Sequence, residues 1–571
     1  MHHPFNIANA IFWWHITLAF PGLGIALPSD LHPRAICEGN TATTRSQWCD
    51  YSIDTDYWTE PVDTGVTREY WLELTDVVVS PDGRPRSAMA VNGSIPGPTI
   101  IADWGDTVVV HVTNSLSTSL NGTSIHWHGI RQNFTNQHDG VTAITQCPVA
   151  VNDTITYEWK ATQYGSSWYH SHFGLQAYQG IFGGIIINGP ATANYDEDLG
   201  SLFLNDWDSQ TVDELYQEAE LNGPPALENG LINGTNVYGE DGDEAQTGTR
   251  FTLPFTTGTS YRLRIVNAAI DTHWKFSIDG HSLTVIAADL VPVEPYTAEY
   301  VNIGIGQRID VIVNADQADV SDNFWLRAVP QSACSDIESA DNIRGIVYYG
   351  ESPSTPDTSA YSFVDGCEDE TPNLVPAVPK TVQGAEWSDF EDATVGRNDA
   401  GLFRWYLNST TFLVDWSAPT LQSLLSGSTN WETQNAVIEF PEYQWIYFVI
   451  QTTLPVPHPI HLHGHDFFIL AQGTGTYDSS VALNTNNPPR RDTAMLPASG
   501  YMVMAWETDN PGAWLMHCHI GWHVSEGFAL QFIERASEIP AIVDSLLLSD
   551  VCTEWNAHKD EYEIVQHDSG V

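Results

Sequence analysis

The sequence predicts an all-β protein built of several sandwich domains, and three observations carry that prediction. Short runs rich in Val, Ile, Thr and aromatics (DTVVVHVTN, IFGGIIING, YRLRIVN, RIDVIVN, YQWIYFVI) alternate with turns of Gly, Pro, Asn and Asp. Long amphipathic helical periodicity is hard to find. Part of the pattern occurs twice. At 571 residues the chain is also too long for a single core.

In chain order, residues 1–27 read as a cleaved secretory signal. Their apolar stretch is short, interrupted by His15 and Pro21 and followed by small residues through Ala26, although no Lys or Arg precedes it. Residues 28–60 form an N-terminal segment open to partial processing, and 61–190 the first domain. INGPATANYDEDLG marks the boundary to a second domain, 191–350. The Ser/Pro/Asp-rich stretch 351–380 reads as a linker before a last domain, 381–571. N-x-[ST] acceptors at Asn92, Asn121, Asn133, Asn152, Asn233 and Asn408 fit passage through a secretory pathway, so the expected location is extracellular.

Composition narrows the partners. A formal net charge of -51, with only 21 Lys and Arg, repels phosphate backbones and anionic lipid. Nucleic acid and membrane surfaces are therefore excluded as partners, no later stretch is apolar enough to span a bilayer, and a monomer is expected. Secretion implies disulfides, and seven cysteines leave one over. The preferred pairing among fifteen is Cys37 with Cys49, Cys334 with Cys367, and Cys147 with Cys552. Cys518 is the leftover thiol.

Cys518 lies in HCHIGWH, residues 517–523. On a strand, alternation sends His517 and His519 to one face and Cys518 to the other, so one strand could feed two metal centres. The duplication supports this. WYHSHFGLQAYQG (168–180) aligns with LMHCHIGWHVSEG (515–527), and HWHG (126–129) with HLHG (461–464). The first copy keeps every H-x-H pair, but Ser171 stands for Cys518, Gln176 for His523 and Thr123 for His458. Those three differences vary as a unit, as one additional metal site in the later copy requires.

The ligands then count out. His126, His128, His170, His172, His461, His463, His517 and His519 supply eight imidazoles, enough for two copper ions with three ligands each and one with two. Cys518, His458 and His523 make the His₂Cys set of an electron-transfer copper. Ten residues after Cys518, where such sites often carry an axial Met, stands Phe528, which cannot coordinate. A single H-x-H pair is most often an ordinary pair of histidines; four, one of them wrapped around an unpaired cysteine, are not. HLHGHD superficially matches a binuclear zinc hydrolase signature, but its His465–Asp466 order is reversed and zinc does not account for the thiolate set.

HWHG, WYHSH, HPIHLHGH and HCHIGWH together resemble the multicopper oxidases, and among them laccases of the ascomycete type, over nearly the whole chain after residue 37. The resemblance implies three cupredoxin-like Greek-key β-sandwich domains, with the mononuclear copper in the third and a trinuclear cluster between first and third. It implies four copper ions: one type 1 ion at the thiolate, one type 2 held by His126 and His461, and two type 3. Of these, one takes His128, His170 and His519, and the other His172, His463 and His517. The implied reaction is one-electron oxidation of small phenols or aromatic amines coupled to reduction of dioxygen to two waters. Oxidation of bilirubin, ascorbate or a metal ion is the alternative within the family, and a secreted copper-binding protein the alternative outside it.

The same likeness nominates further residues. Asp271, in VNAAIDTHWKF, would accept the phenolic proton; Phe403, Trp405 and Leu454 would wall the substrate pocket beside His523. Asp139, in QHDG, falls where laccases keep a carboxylate that delivers protons near the cluster, and Asp466 is a candidate to orient a histidine ligand. The last four residues, Asp568, Ser569, Gly570 and Val571, resemble the terminal plug of ascomycete-type laccases, seated in the solvent channel to the cluster.

Overall fold

Three pairs of sheets follow one another along the chain. The computed structural model describes residues 37–571 apart from Thr429, so the expected signal segment lies outside the described residues. The first pair has Arg86–Val91, Thr67–Val79, Thr107–Ser115 and Thr154–Lys160 in one sheet. Its partner sheet has Gly97–Asp103, Phe182–Asn188, Gly165–Ser171 and Ile125–His128. Two further pairs, each of a six-stranded and a five-stranded sheet, are built from strands between Glu197 and Tyr348 and between Trp387 and Glu534.

The same wiring recurs three times. In each pair of sheets the first long strand runs parallel to a later one: Thr67–Val79 beside Thr107–Ser115, Glu197–Trp207 beside Ser260–Asn267, Trp387–Arg397 beside Trp445–Thr452. A short strand likewise runs parallel to the last of each set. Parallel neighbours cannot be joined by a hairpin, so the chain crosses between sheets, which makes the Greek key. The expected alternation is plain in Thr107–Ser115, where Val108, Val110, Val112 and Asn114 point into the core and their neighbours are half-buried.

The sandwiches do not stand apart. One continuous core joins Leu263, Ile265 and Val311 of the second to Ile446, Ile460 and Met504 of the third. Another joins Val141, Ile144 and Phe173 of the first to Phe412, Leu515 and Trp555. Cys147–Cys552 and Cys334–Cys367 are bonded as expected, Cys37 and Cys49 are each disulfide-bonded, and Cys518 is free and buried.

Two elements differ from expectation. Residues 351–380, expected as a linker, carry a strap pinned by buried acids. Glu370 accepts from the Asn302 backbone (2.9 Å) and the Tyr296 hydroxyl (2.7 Å), and Asp369 from the Met495 backbone (2.9 Å). The second difference is an 18-residue helix, Ser545–Tyr562, started by the Asp544 side chain, which accepts from the Leu546 and Leu547 N–H groups. Only Leu548, Cys552, Trp555 and His558 of this helix are buried, a stripe too thin to stand out in a charged run. Among the described residues no helix is long and apolar enough to cross a membrane.

Candidate metal centres

The duplicated strands meet edge to edge in the same register. His126 pairs with His170 on Ile125–His128 and Gly165–Ser171, and His461 with His517 on His458–Leu462 and Gly512–Cys518. Ile125 opposite Ser171 is likewise matched by Ile460 opposite Cys518. The strands stop sooner than simple alternation assumed: His172, His463 and His519 each stand just beyond a strand end. Their backbones turn there, and the His519 N–H is held by the Pro459 carbonyl at 2.7 Å.

All eight histidines converge in one buried chamber. His172, His463 and His517 form one set whose ligand atoms lie within 4.8 Å of one another, and His126, His461 and His463 another. His128 and His170 join His126 in a third, with the His519 ring 5.0 Å from that of His128 and 5.5 Å from that of His170. Each of the eight rings has a buried nitrogen without a hydrogen-bond partner. Burial, reinforced by neighbouring imidazoles, holds His172, His461, His463 and His519 well below the usual histidine range. Neutral imidazoles with unpartnered nitrogens aimed at one another are a metal-binding donor set; as hydrogen-bonding groups they would be left unsatisfied.

In His126, His128, His170, His461, His463 and His517 the other ring nitrogen is tied down, whereas both nitrogens of His519 are unpartnered. The Asp139 carboxylate holds His463 Nδ1 at 2.9 Å and its carbonyl holds His126 Nδ1 at 2.9 Å, so one residue orients two rings. Its Asp-Gly turn is obligatory, because a Cβ on Gly140 would sit 1.8 Å from the Ile125 carbonyl. Asp492, which sequence reasoning missed, does the same on the other side. Its Oδ1 lies 3.1 Å from His128 Nε2 and its carbonyl 2.7 Å from His461 Nδ1. Arg308, from the second sandwich, grips that carboxylate with both terminal nitrogens, at 2.7 and 2.5 Å. Asp289 receives the Arg308 backbone N–H at 2.7 Å and Arg491 Nε at 2.7 Å. The one available signal was RRD at 490–492, two adjacent cations in a chain with 21. Asp466, by contrast, holds no histidine ligand: its oxygens are engaged by the Tyr57 hydroxyl (2.8 Å) and Arg131 (3.0 Å).

His458, Cys518 and His523 form the second centre. Cys518 Sγ lies 3.9 Å from His458 Nδ1 and 3.6 Å from His523 Nδ1, all three buried. Burial lowers the His458 pKa to about 3 and pushes the Cys518 thiol well up. A thiol in such surroundings ionises only with a cation to pair with, which a bound metal supplies. Phe528 closes the site from one side, its ring 5.2 Å from that of His458 and stacked on Trp405 at 4.9 Å. In the first copy Thr123, Ser171 and Gln176 meet at the equivalent place, both hydroxyls donating to Gln176 Oε1 at 2.6 and 2.7 Å. Hydrogen bonds stand there where the later copy has its metal ligands.

A cavity of 370 Å³ opens beside His523, lined by Asp271, Phe403, Trp405 and Leu454. The structure thus brings together all the pocket residues nominated from sequence, and adds Ile520, Asp336 and Glu526. Burial, with Asp206 and Asp336 nearby, raises the Asp271 pKa to about 8. Asp206, also missed, shapes that loop by accepting from the Ile270, Asp271 and Thr272 N–H groups at 2.9, 3.0 and 3.1 Å.

Residues 568–571 lie close to the chamber. Val571 is 1% exposed within the core that joins Phe173 and Trp555, and Ser569 exchanges backbone bonds with Ser525 and Val414 (2.9 Å each). The Thr142 hydroxyl sits 2.8 Å from the His172 carbonyl and 2.9 Å from that of Gly570. Burial raises the Asp568 pKa to about 6.

Three multicopper oxidase family models match residues 73–192, 199–352 and 411–538. The chain is 45% identical to Laccase-2 of Botryotinia fuckeliana, covering 99% of each chain, and 47% identical to its Laccase-1, covering 95% of each. Among solved structures, the laccase of Botrytis aclada superposes with a TM-score of 0.89 at 47% identity, over 93% of this chain and 99% of that one. Two centres built of eight histidines and a His₂Cys set, on three sandwiches that each match the same family, lead to one conclusion: this chain belongs to the multicopper oxidase family.

Proposed function

We propose that the protein is a secreted laccase that oxidises small phenols by one electron at a time and reduces dioxygen to two waters for every four electrons taken. The observation that carries this reading is the coupling of a substrate-sized cavity to the His₂Cys set through His523, which belongs to both. Four copper ions, one at His458, Cys518 and His523 and three among the eight histidines, supply the redox chemistry when bound. The three sandwiches are taken as domains 61–190, 191–350 and 381–571, with 351–380 between them.

The chain's own residues do the rest. Asp271 lines the cavity and, once ionised, accepts the phenolic proton, which makes the electron easier to lose. The apolar walls Phe403, Trp405, Leu454 and Ile520 hold the ring and exclude water. Cys518 is covalently adjacent to both His517 and His519, so a short through-bond path leads from the cavity side to the chamber. Asp139, fully buried against His126 and His463, is positioned to pass protons toward dioxygen. Asp568–Val571 close the chamber beside His172.

The test is oxygen uptake with a phenol, read beside a copper count and a visible spectrum. Cys518→Ser should abolish the intense blue colour and phenol oxidation while the eight-histidine cluster keeps most of its copper, as the first copy keeps its H-x-H pairs with Ser171 in that place. Loss of all copper would contradict two separable centres.

A further inference from the structure

Glu526 stands three residues after His523, at the end of the helical turn Gly521–Ser525, so the two side chains leave the same face. Its carbonyl accepts the Trp405 N–H at 3.0 Å, which fixes it to the pocket wall. The side chain is 3% exposed, lines the cavity, and its Oε1 is buried without a hydrogen-bond partner. A buried acceptor left open at the wall of a binding cavity is costly unless a ligand satisfies it.

The rest of the cavity sharpens the choice of ligand. No Lys or Arg lines it, whereas Asp271, Asp336 and Glu526 do. Among the described residues these three do not converge closely enough to hold a metal ion. The groups facing Glu526 from the neighbouring elements are Arg404, Glu220 and the Trp405 indole, and Arg404 is already engaged by Glu220 at 3.4 Å. We propose that Glu526 is a specificity-determining residue that accepts hydrogen bonds from an amino or ammonium group of the substrate while Asp271 serves the hydroxyl, so that the pocket favours aminophenols and disfavours anionic phenols. This rests on the reading of the cavity as the substrate site. Burial raises the Glu526 pKa to about 8, against Arg404 and the indole. A bound ammonium stabilises the ionised form, so its affinity rises as pH increases toward 8.

The experiment uses the copper-loaded enzyme and two probes, benzylammonium and benzyl alcohol, in calorimetric binding titrations, beside steady-state oxidation of 4-aminophenol and 4-methoxyphenol. Glu526→Gln should weaken benzylammonium binding about tenfold, the scale of one charge-assisted hydrogen bond, with a smaller effect on benzyl alcohol. The kcat/KM ratio of 4-aminophenol to 4-methoxyphenol should fall by about the same factor, and the rise of benzylammonium affinity with pH should flatten. Equal weakening of both probes, or no binding of benzylammonium by the unaltered enzyme, would overturn the assignment. Failure to oxidise 4-methoxyphenol would instead remove the laccase reading, and the calorimetry would still judge Glu526.

Discussion

Phe528 is expected to set how strongly the thiolate site would hold an oxidised copper. Its ring stacks on Trp405 and offers no donor, so a copper ion held by His458, Cys518 and His523 would gain no further ligand from it. Phe528→Met should lower the potential of the blue site; a tenfold gain for Cu(II) over Cu(I) corresponds to about 59 mV for one electron. Redox titration of both proteins checks this, and an unchanged potential would mean that position 528 is not axial. Asp271 would act on the proton instead. It accepts a proton only when ionised, and its pKa is raised to about 8, so phenol oxidation should climb with pH as the carboxyl ionises. Asp271→Asn should cut phenol kcat/KM by about 100-fold and move the optimum upward, because the phenol must then ionise unaided. An electron donor with no proton to lose should be affected far less, and equal losses on both would make Asp271 structural.

At the scale of elements, the middle sandwich supplies none of the eight histidines, yet it holds the chamber together. Arg308, at the start of the strand Arg308–Asn314, binds Asp492, which in turn orients His128 and His461. Arg308→Lys keeps the charge but loses the two-pronged grip. It should weaken metal retention in the cluster by about 10–100-fold while the blue band keeps its intensity, measured as copper per chain after dialysis and by absorbance. Full copper retention would show that His128 and His461 need no such support. Arg308 and Asp492 were illegible in the sequence because their partnership spans 184 positions and carries no local spacing. The ligands were legible because strand geometry places H-x-H pairs close together and the duplication repeats them. The duplication itself linked only the first and last sandwiches, because the middle one lacks those histidines, and the helix Ser545–Tyr562 escaped notice because it buries so few side chains.

For the molecule as a whole, carboxylates raised by burial set the response to pH. Asp271 and Glu526 are raised to about 8 and Glu391 to about 7, each mainly by burial. Their unfolded values lie near 4, so between these limits the folded chain holds more protons than the unfolded one. Stability contributed by their protonated forms is therefore lost as pH rises toward 8. Below about 6.5 buried neutral histidines such as His138 and His273, lowered to about 4, act in the opposite sense. Melting temperature should thus fall between pH 6.5 and 8.5, in the window where the acids dominate. Calorimetric scans check this, and the fall should be shallower in Asp271→Asn/Glu526→Gln; a rise over the window would refute it. The global charge of -51 reinforces the trend, since each proton lost adds self-repulsion. Fold class was legible at this scale because strand period and turn residues are local signals, whereas the strap at 351–380 read as a linker because its anchoring acids, Asp369 and Glu370, bind partners far away in the chain.

The knot of Thr123, Ser171 and Gln176 has a consequence for traffic. The first copy holds hydrogen bonds where the later copy has its thiolate ligands, so on the proposed reading reducing equivalents would enter only through the berth beside His523. Two substrates offered together should then queue there: their rates should not add, each should delay the other, and one inert molecule lodged in that berth should idle the whole machine.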